Sequence, residues 1–546
     1  MAANTLYYGD NLDILRRYID DESVDLIYLD PPFNSSASYN VLFREPSGEG
    51  SAAQIKAFED TWTWGDEAEL AYRQLLGSPL ASAMTKEIVS SLRKALGDRN
   101  AMTAYLVMMA VRLVELRRVL KPTGSLYLHC DPTASHYLKV VLDSIFGKEN
   151  FRNEIAWQRT GAHNDAKRYG AVSDRLLFYS KSNKWTWNPQ YTEYTPEYIK
   201  ERYHYVEESS GRLFWPNQMT GAGQGPARMI GGQLREPPSD RHWAYTQEDI
   251  DRLETEGRIY WSTNGAPYIK NYLDERKGRP LQDVWTDVVM TKSGQERLGY
   301  PTQKPLALLE RIIQASSNEG EVVLDPFCGC GTAVAAAHKL DRRWIGIDIT
   351  HLAIALMKSR MKDMFNLEPK RDYQVVGEPV DAEGARQLWL ENHYQFQYWA
   401  VSLLTGQPRQ QDKKGADRGI DGVIFFLDGP RRSAHKAIIQ VKGGHVTSSQ
   451  IRDLKGVLER EGAALGLFIT LEDSTRDMRV EAASAGLFRS DLMERDYPRV
   501  QIRTVAELLE GRGFEMPLRP AQFKQAERVR RPEGKQGVLP EADVHP

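Results

Sequence analysis

The chain has 546 residues, 41% of them hydrophobic and 27% charged, which leaves room for two or three globular domains and excludes a wholly disordered polymer. A net charge of −3 gives no whole-molecule attraction to nucleic acid, so such a partner would have to be met by local basic patches. Three cysteines, Cys130, Cys328 and Cys330, are too few for a disulfide framework. The N-terminal "MAANTLYYGDNLDILRRYIDDE" has no apolar signal core, and no run approaches the roughly 18 apolar residues of a membrane span. The expected setting is the cytoplasm, with no membrane partner.

In chain order, residues 5 to 31 read as a strand ("TLYY"), a helix ("NLDILRRYI") and a second strand ("VDLIYLD") that runs into "DPPF". Residues 103 to 119 ("TAYLVMMAVRLVELRRV") repeat apolar positions at helical spacing, "LKPTGS" reads as a turn, and "SLYLHCD" as a short buried strand. "NEIAWQ" and "DRLLFYSK" are two more strands. Residues 185–290, rich in Trp, Tyr, Gly and Pro, are expected to form an inserted lobe. The α/β pattern resumes with the helix "LALLERIIQAS", the strand "EVVLD", a glycine loop, the helix "AVAAAHKL" and the strand "RWIGIDI". Strands alternating with helices predict a doubly wound, mainly parallel α/β sheet over 1–184 and 291–370. A linker is expected at 371–385, a second α/β unit at 386–515, and a charged tail at 516–546 with too little to bury to be ordered.

The glycine loop in "VVLDPFCGCGTAVAAA" fits neither of the two common phosphate-binding patterns. A dinucleotide fingerprint needs a third glycine where Val334 stands, and a P-loop needs a lysine after Gly331. What remains is an acid at the loop's start, Asp325, backbone that a ligand can approach at Gly329 and Gly331, and Asp348 at the end of the next strand, placed to hold ribose hydroxyls. Such a site suits a positively charged nucleoside without phosphate, and S-adenosylmethionine fits. The alternative is a tight strand-to-helix turn with packing glycines.

Asp-Pro-Phe-x-Gly-x-Gly-Thr, preceded by "PTQKPLALLERII", resembles the cofactor motif of amino-methylating DNA methyltransferases. "DPPF" resembles their catalytic motif, and "YYGDNLDIL" the acidic segment before it. The catalytic motif comes first, the permuted order of the beta class, which includes the type III modification subunits. The resemblance implies a Rossmann-like fold acting on double-stranded DNA. It also implies cofactor contacts at Asp10, Phe327 and Thr332, with Lys304 and Pro305 nearby and Asp10 accepting from the adenosine amino group.

The chemistry explains why a bend such as DPPF would be needed. An exocyclic amine is a poor nucleophile because its lone pair is delocalised into the ring. Two acceptors, the Asp30 carboxylate and the Pro31 carbonyl, would favour a pyramidal nitrogen facing the methyl group. Pro31 and Pro32 fix φ and hold that carbonyl in place, while Phe33 would stack on the base. Asp30 or solvent would take the proton. The target atom is concealed in a duplex, so the base must be flipped out. Adenine N6 is favoured over cytosine N4, because in the family Asp at the first position goes more often with adenine. A rigid turn capped by an aspartate is the plain structural alternative.

Cys328 and Cys330, with Cys130 and His129, could suggest a metal, but a one-residue gap is poor zinc spacing and the loop already has a use. The lobe interleaves aromatics with Lys and Arg ("KWTWNPQY", "RLFWPNQ", "GRIYWSTNG"), which suits target recognition, although a small β-rich lobe would contain the same residues. Residues 41 to 100 are a second candidate for that role.

In the second unit, "GADRGIDGVIFFLDGPRRSAHKAIIQVKGGHV" reads as two strands. Gln440 and Lys442, two apart, share a face that Asp421 on the neighbouring strand can meet. This unit resembles the Mrr-like restriction endonucleases, a branch of the PD-(D/E)xK nucleases. The resemblance implies Asp421, Gln440 and Lys442 as the catalytic set, with Asp421 as a ligand for Mg²⁺. Together the two halves suggest a restriction-modification or phage-defence protein. A DNA-binding or sensing protein, or one that mainly cleaves, stays open, as do a homodimer and protein partners.

Overall fold

The computed structural model describes residues 4–32, 38–41, 55–59, 64–97, 100–161, 167, 169–290, 303–404, 407–408, 419–428 and 433–517. Phe33 and the expected tail beyond 517 lie outside them. The six residues of Val24–Leu29 are all buried, as a strand covered on both faces must be, and they lie near the middle of a nine-stranded sheet. The sheet comprises β1 (Thr5–Tyr8), β2 (Val24–Leu29), β3 (Leu120–Cys130), β4 (Phe151–Gln158), β5 (Ser173–Ser180), β6 (Val284–Trp285), β7 (Val322–Asp325), β8 (Arg343–Asp348) and β9 (Gln374–Val376). Their order across the sheet is β6-β4-β5-β3-β2-β7-β8-β1-β9. Every pairing is parallel except those of β5, which runs antiparallel to β3 and β4.

The long helix Ala101–Val119 is buried around nearly its whole circumference, with Leu106, Val107, Leu113 and Leu116 in the same core as Leu15, Ile27, Leu128 and Leu138. Two charged groups share that burial. Arg112 turns toward Asp10, and Glu115 toward Arg16 and Arg118. No helix among the described residues is long and apolar enough to cross a membrane.

Two local expectations differ from what forms. "LKPTGS" is not a free turn: β3 begins at Leu120, and the register against β2 jumps between Val24–Leu120 and Leu26–Ser125. The extra residues bulge out around Pro122, which has no N–H to give the ladder. Segment 371–385 holds β9, paired in parallel with β1, and the start of the helix Ala382–Glu391. It therefore completes the sheet as well as leading away from it.

Pro189–Gln282 forms a separate compact unit, somewhat shorter than the 185–290 expected. Its four-stranded sheet runs Ile259–Trp261, Pro267–Tyr272, Leu213–Gln218, Tyr205–Val206. Tyr205, Phe214, Tyr260 and Tyr272 pack ring against ring, and Arg212 lies 3.7 Å over the Tyr272 ring. Hydrogen bonds from Lys270, Ser210 and Tyr272 pull the Glu207 carboxyl down to about 2.

The C-terminal sheet contains β10 (Gln407–Pro408), β11 (Gly422–Asp428), β12 (Ser433–Lys442), β13 (Leu465–Thr470) and β14 (Val500–Thr504), in that order. β11 and β12 are antiparallel, and β12, β13 and β14 are parallel. Apolar clusters cover both faces, one around Phe396, Trp399 and Ile439, the other around Ile438, Leu454 and Phe468. The helix His393–Ser402 packs both on β12 and on the helix His351–Phe365 that follows β8.

Buried Asp25 joins three strands of the main sheet. Its carboxylate accepts from Lys121 Nζ on β3 at 2.7 and 2.8 Å and from the Val322 N–H on β7 at 2.9 Å. Asp25→Ala leaves a backbone N–H without its acceptor and a lysine without its counter-ion, and should cost about 3 kcal/mol in urea unfolding. Asp25→Asn keeps the acceptor for Val322 and should cost less.

Candidate active site

Four neighbouring parallel strands each bring an aspartate to the same edge of the sheet. Asp30 follows β2, Asp325 ends β7, Asp348 ends β8, and Asp10 lies two residues past β1. Leu26 pairs with Val323 and Ile27 with Leu324, so Asp30 and Asp325 emerge side by side although far apart in the chain. Lys304 Nζ donates to Asp30 Oδ2 at 2.5 Å, with both side chains largely buried. Pro305 caps the helix Leu306–Ser316 next to it. Pro31 is buried and Pro32 half-buried, consistent with a stiff bend held against the body of the protein.

The glycine loop is tied to the same edge. Gly331 has φ +74°, and a Cβ there would fall 2.6 Å from Met357 Cγ, so backbone comes close where a side chain would not fit. The Gly329 N–H donates to Asp348 Oδ2 at 2.9 Å, while Thr350 donates its N–H and hydroxyl to Oδ1 at 2.9 and 2.8 Å. The Phe327 N–H donates to Asp325 Oδ1 at 3.1 Å. Burial holds the Asp325 carboxyl well above the usual carboxylate range, and the Asp30 and Asp348 charges add to this against the Phe327 N–H and Lys304. Burial raises Asp348 too, opposed by its bonds to Thr350 and Gly329. Acids crowded and desolvated in this way gain from a cation brought among them.

Asp10 and Thr332 have their oxygens engaged within the protein. Asp10 caps the helix Asn11–Tyr18 by accepting from the Leu12 N–H at 2.7 Å, and takes Arg112 Nη2 at 2.8 and 3.1 Å. Arg112 Nε also donates to Asn11 Oδ1 at 2.6 Å, and Asn11 Nδ2 to the Pro326 carbonyl at 2.8 Å. The acidic segment is thereby fastened to the glycine loop. Fully buried Arg360 donates to the Thr332 hydroxyl at 3.0 Å and to the Cys330 carbonyl at 3.2 Å, bracing the loop from below. All three cysteines are buried and free, and no cluster of three or more His, Cys, Asp or Glu suited to a metal occurs among the described residues.

A family model for DNA methylase matches residues 24–359, a span that contains β2, the DPPF bend, the glycine loop and Asp348. The chain belongs to the DNA methylase family. A second model, for restriction endonuclease, matches residues 391–496. Type II methyltransferase M.EcaI of Enterobacter cloacae is 34% identical over 301 residues, covering 54% of this chain and 65% of that protein. The Type III restriction-modification enzyme StyLTI Mod subunit of Salmonella typhimurium is 26% identical over 357 residues, covering 62% and 50%. Type II methyltransferase M.HpaI of Haemophilus parainfluenzae is 31% identical over 253 residues, covering 42% and 76%. The chain thus spans 65% and 50% of the length of the first two relatives.

Within the endonuclease match, Asp421 directly precedes β11 and is buried, with Oδ2 accepting from the Val441 N–H at 2.7 Å. Gln440 and Lys442 lie on β12. Gln440 is buried; its amide donates to the Gly419 carbonyl at 3.3 Å, and its Oε1 has no hydrogen-bond partner. Trp389 covers the strand end, since a Cβ on Gly443 would fall 2.3 Å from its ring.

Sequence reasoning missed Asn11, Arg112 and Arg360, which hold the methylase loops together. Arg112 left a signal: a cation in the apolar part of a helix needs a buried partner. Nothing in the sequence marked Asp10 as that partner.

Proposed function

We propose that this chain transfers the methyl group of S-adenosylmethionine to an exocyclic amine, adenine N6 in preference to cytosine N4, of a base flipped out of double-stranded DNA. The observation that carries the reading is the parallel pairing of β2 with β7, which brings the DPPF bend and the glycine loop to one edge. The cofactor fits the residues present. Burial holds the Asp325 and Asp348 carboxyls above the usual carboxylate range, which a bound cation would relieve, and the loop turns at Gly331 in the left-handed region with no room for a side chain. When bound, S-adenosylmethionine supplies an electrophilic methyl group.

The chain's own residues do the rest. Asp30 and the Pro31 carbonyl accept from the amine N–H groups and localise its lone pair, and Asp30 takes up or passes on the proton. Lys304 tempers the charge of Asp30 and keeps its carboxylate in place. Phe33 stacks on the extruded base, and the lobe Pro189–Gln282 reads the target. Asp30→Ala should abolish tritium transfer from labelled S-adenosylmethionine to DNA while leaving cofactor binding within a few-fold. Nucleoside mass spectrometry of DNA treated with the parent should give N6-methyladenine, and N4-methylcytosine instead would overturn the base assignment.

The raised acids make binding pH-dependent. In the free protein Asp325 and Asp348 hold protons above the ordinary carboxylate range, whereas a sulfonium ligand favours their ionised forms. Binding in mildly acidic buffer should therefore release protons, and affinity should weaken as pH falls through that raised range. Calorimetry in buffers of different ionisation enthalpy measures the release. S-adenosylhomocysteine, without the sulfonium charge, should release fewer.

The C-terminal domain adds a reading of its own: Mg²⁺-dependent cleavage of DNA. The orphaned Gln440 Oε1 beside Asp421 offers oxygen donors of the kind Mg²⁺ takes, and Lys442 would steady the attacked phosphate. Cutting of methylated or unmethylated DNA should require Mg²⁺ and be lost in Lys442→Ala.

A further inference from the structure

Behind the catalytic bend lies a chain of polar groups that the reaction as described does not use. Tyr28, His129 and Asp174 are almost completely buried, at 2%, 0% and 1% exposure. They stand on three neighbouring strands, β2, β3 and β5, near the ends that face the site. His129 Nε2 lies 3.1 Å from Asp174 Oδ2, and His129 Nδ1 lies 3.0 Å from Tyr28 Oη. A carboxylate can only accept, so Nε2 carries the ring proton. In a neutral ring Nδ1 is then a lone pair, and the Tyr28 hydroxyl donates to it. Burial and the Lys304 ammonium both push His129 below its ordinary range, which keeps the ring neutral. Arg159 Nη1, 3.5 Å from Asp174 Oδ1, balances the buried charge from the partly exposed end.

Resting on the methyl-transfer reading above, we infer that Asp174, His129 and Tyr28 form a positioning relay that fixes the end of β2, and with it the Asp30 carboxylate and Pro31 carbonyl that must meet the amine. Tyr28 is two residues before Asp30 and leans to the same side of the strand. Its hydroxyl has one direction open to it, because the tautomer of His129 is set by Asp174. A strand end pinned in this way cannot rotate its acceptors away from the base. A misplacement of about 1 Å in such a constellation costs on the order of 100-fold in rate.

Tyr28→Phe removes a single oxygen, and His129→Gln keeps a donor and an acceptor where His129→Leu keeps neither. Single-turnover methyl transfer at saturating DNA, divided by the cofactor-binding sites counted calorimetrically, separates positioning from folding. Tyr28→Phe and His129→Leu should slow transfer at least tenfold per binding site, with the dissociation constant for S-adenosylmethionine within threefold of the parent. His129→Gln should recover most of the loss. In the ligand-free protein, ¹⁵N-histidine NMR should show a ring protonated at Nε2, absent in His129→Gln, whose Nδ1 signal moves in Tyr28→Phe. Transfer per binding site equal to the parent's in Tyr28→Phe, or an unmoved Nδ1 signal, overturns the relay alone. A parent chain that binds the cofactor yet methylates no DNA overturns the methyl-transfer reading and the relay with it.

Discussion

Everything at the methylase site depends on one strand pairing. β2 and β7 are neighbours in the sheet and strangers in the sequence, and their parallel register alone sends the DPPF bend and the glycine loop out at the same edge. Parallel strands cannot be joined by a short turn, so the chain between them must travel, and here it carries β3 to β6, several helices and a whole separate unit. Asp25 reinforces the pairing from within, because its carboxylate bonds to both flanking strands. A buried acid in a central strand is costly unless fully satisfied, and this one has partners on either side.

Elements with a clear period were legible from sequence. "LALLERIIQAS" is the helix Leu306–Ser316 and "EVVLD" holds the strand Val322–Asp325, because apolar pattern and burial agree there. The glycine loop was legible by what it lacks, since a missing third glycine and a missing lysine removed the phosphate-binding alternatives. Harder were features fixed by tertiary partners. Pro122 and Gly124 in "LKPTGS" look like a turn, yet pairing with β2 draws them into β3 as a bulge. Asp10 is held in place by Arg112, distant in sequence, whose guanidinium donates to its carboxylate. Local pattern does not encode which charged groups will meet after the chain has crossed the sheet.

The two candidate centres solve opposite electrostatic problems. At the methylase edge, carboxyls are crowded and raised by burial, with Lys304 on Asp30 and Arg112 on Asp10, a setting that favours an added cation. Among the described residues of the C-terminal domain, the acid Asp421 is accompanied by the neutral amide of Gln440 and by Lys442. The Mg²⁺ proposed for that centre would be held more weakly by an acid and an amide than by two acids, so cleavage there would depend more on the ion's concentration.

β9 bears on how the chain can be divided. Residues 374–376 form the outer edge of the methylase sheet against β1, and just beyond them Gly377 fits against the Tyr8 carbonyl with no space for a Cβ, while Glu378 pairs with Lys358. Scission near residue 370, where composition places the seam, would strip this border, bare the hydrogen-bonding groups of β1 and leave a sticky margin open to self-association. A division of the chain that spares this border falls further on, between Glu378 and the helix that starts at Ala382.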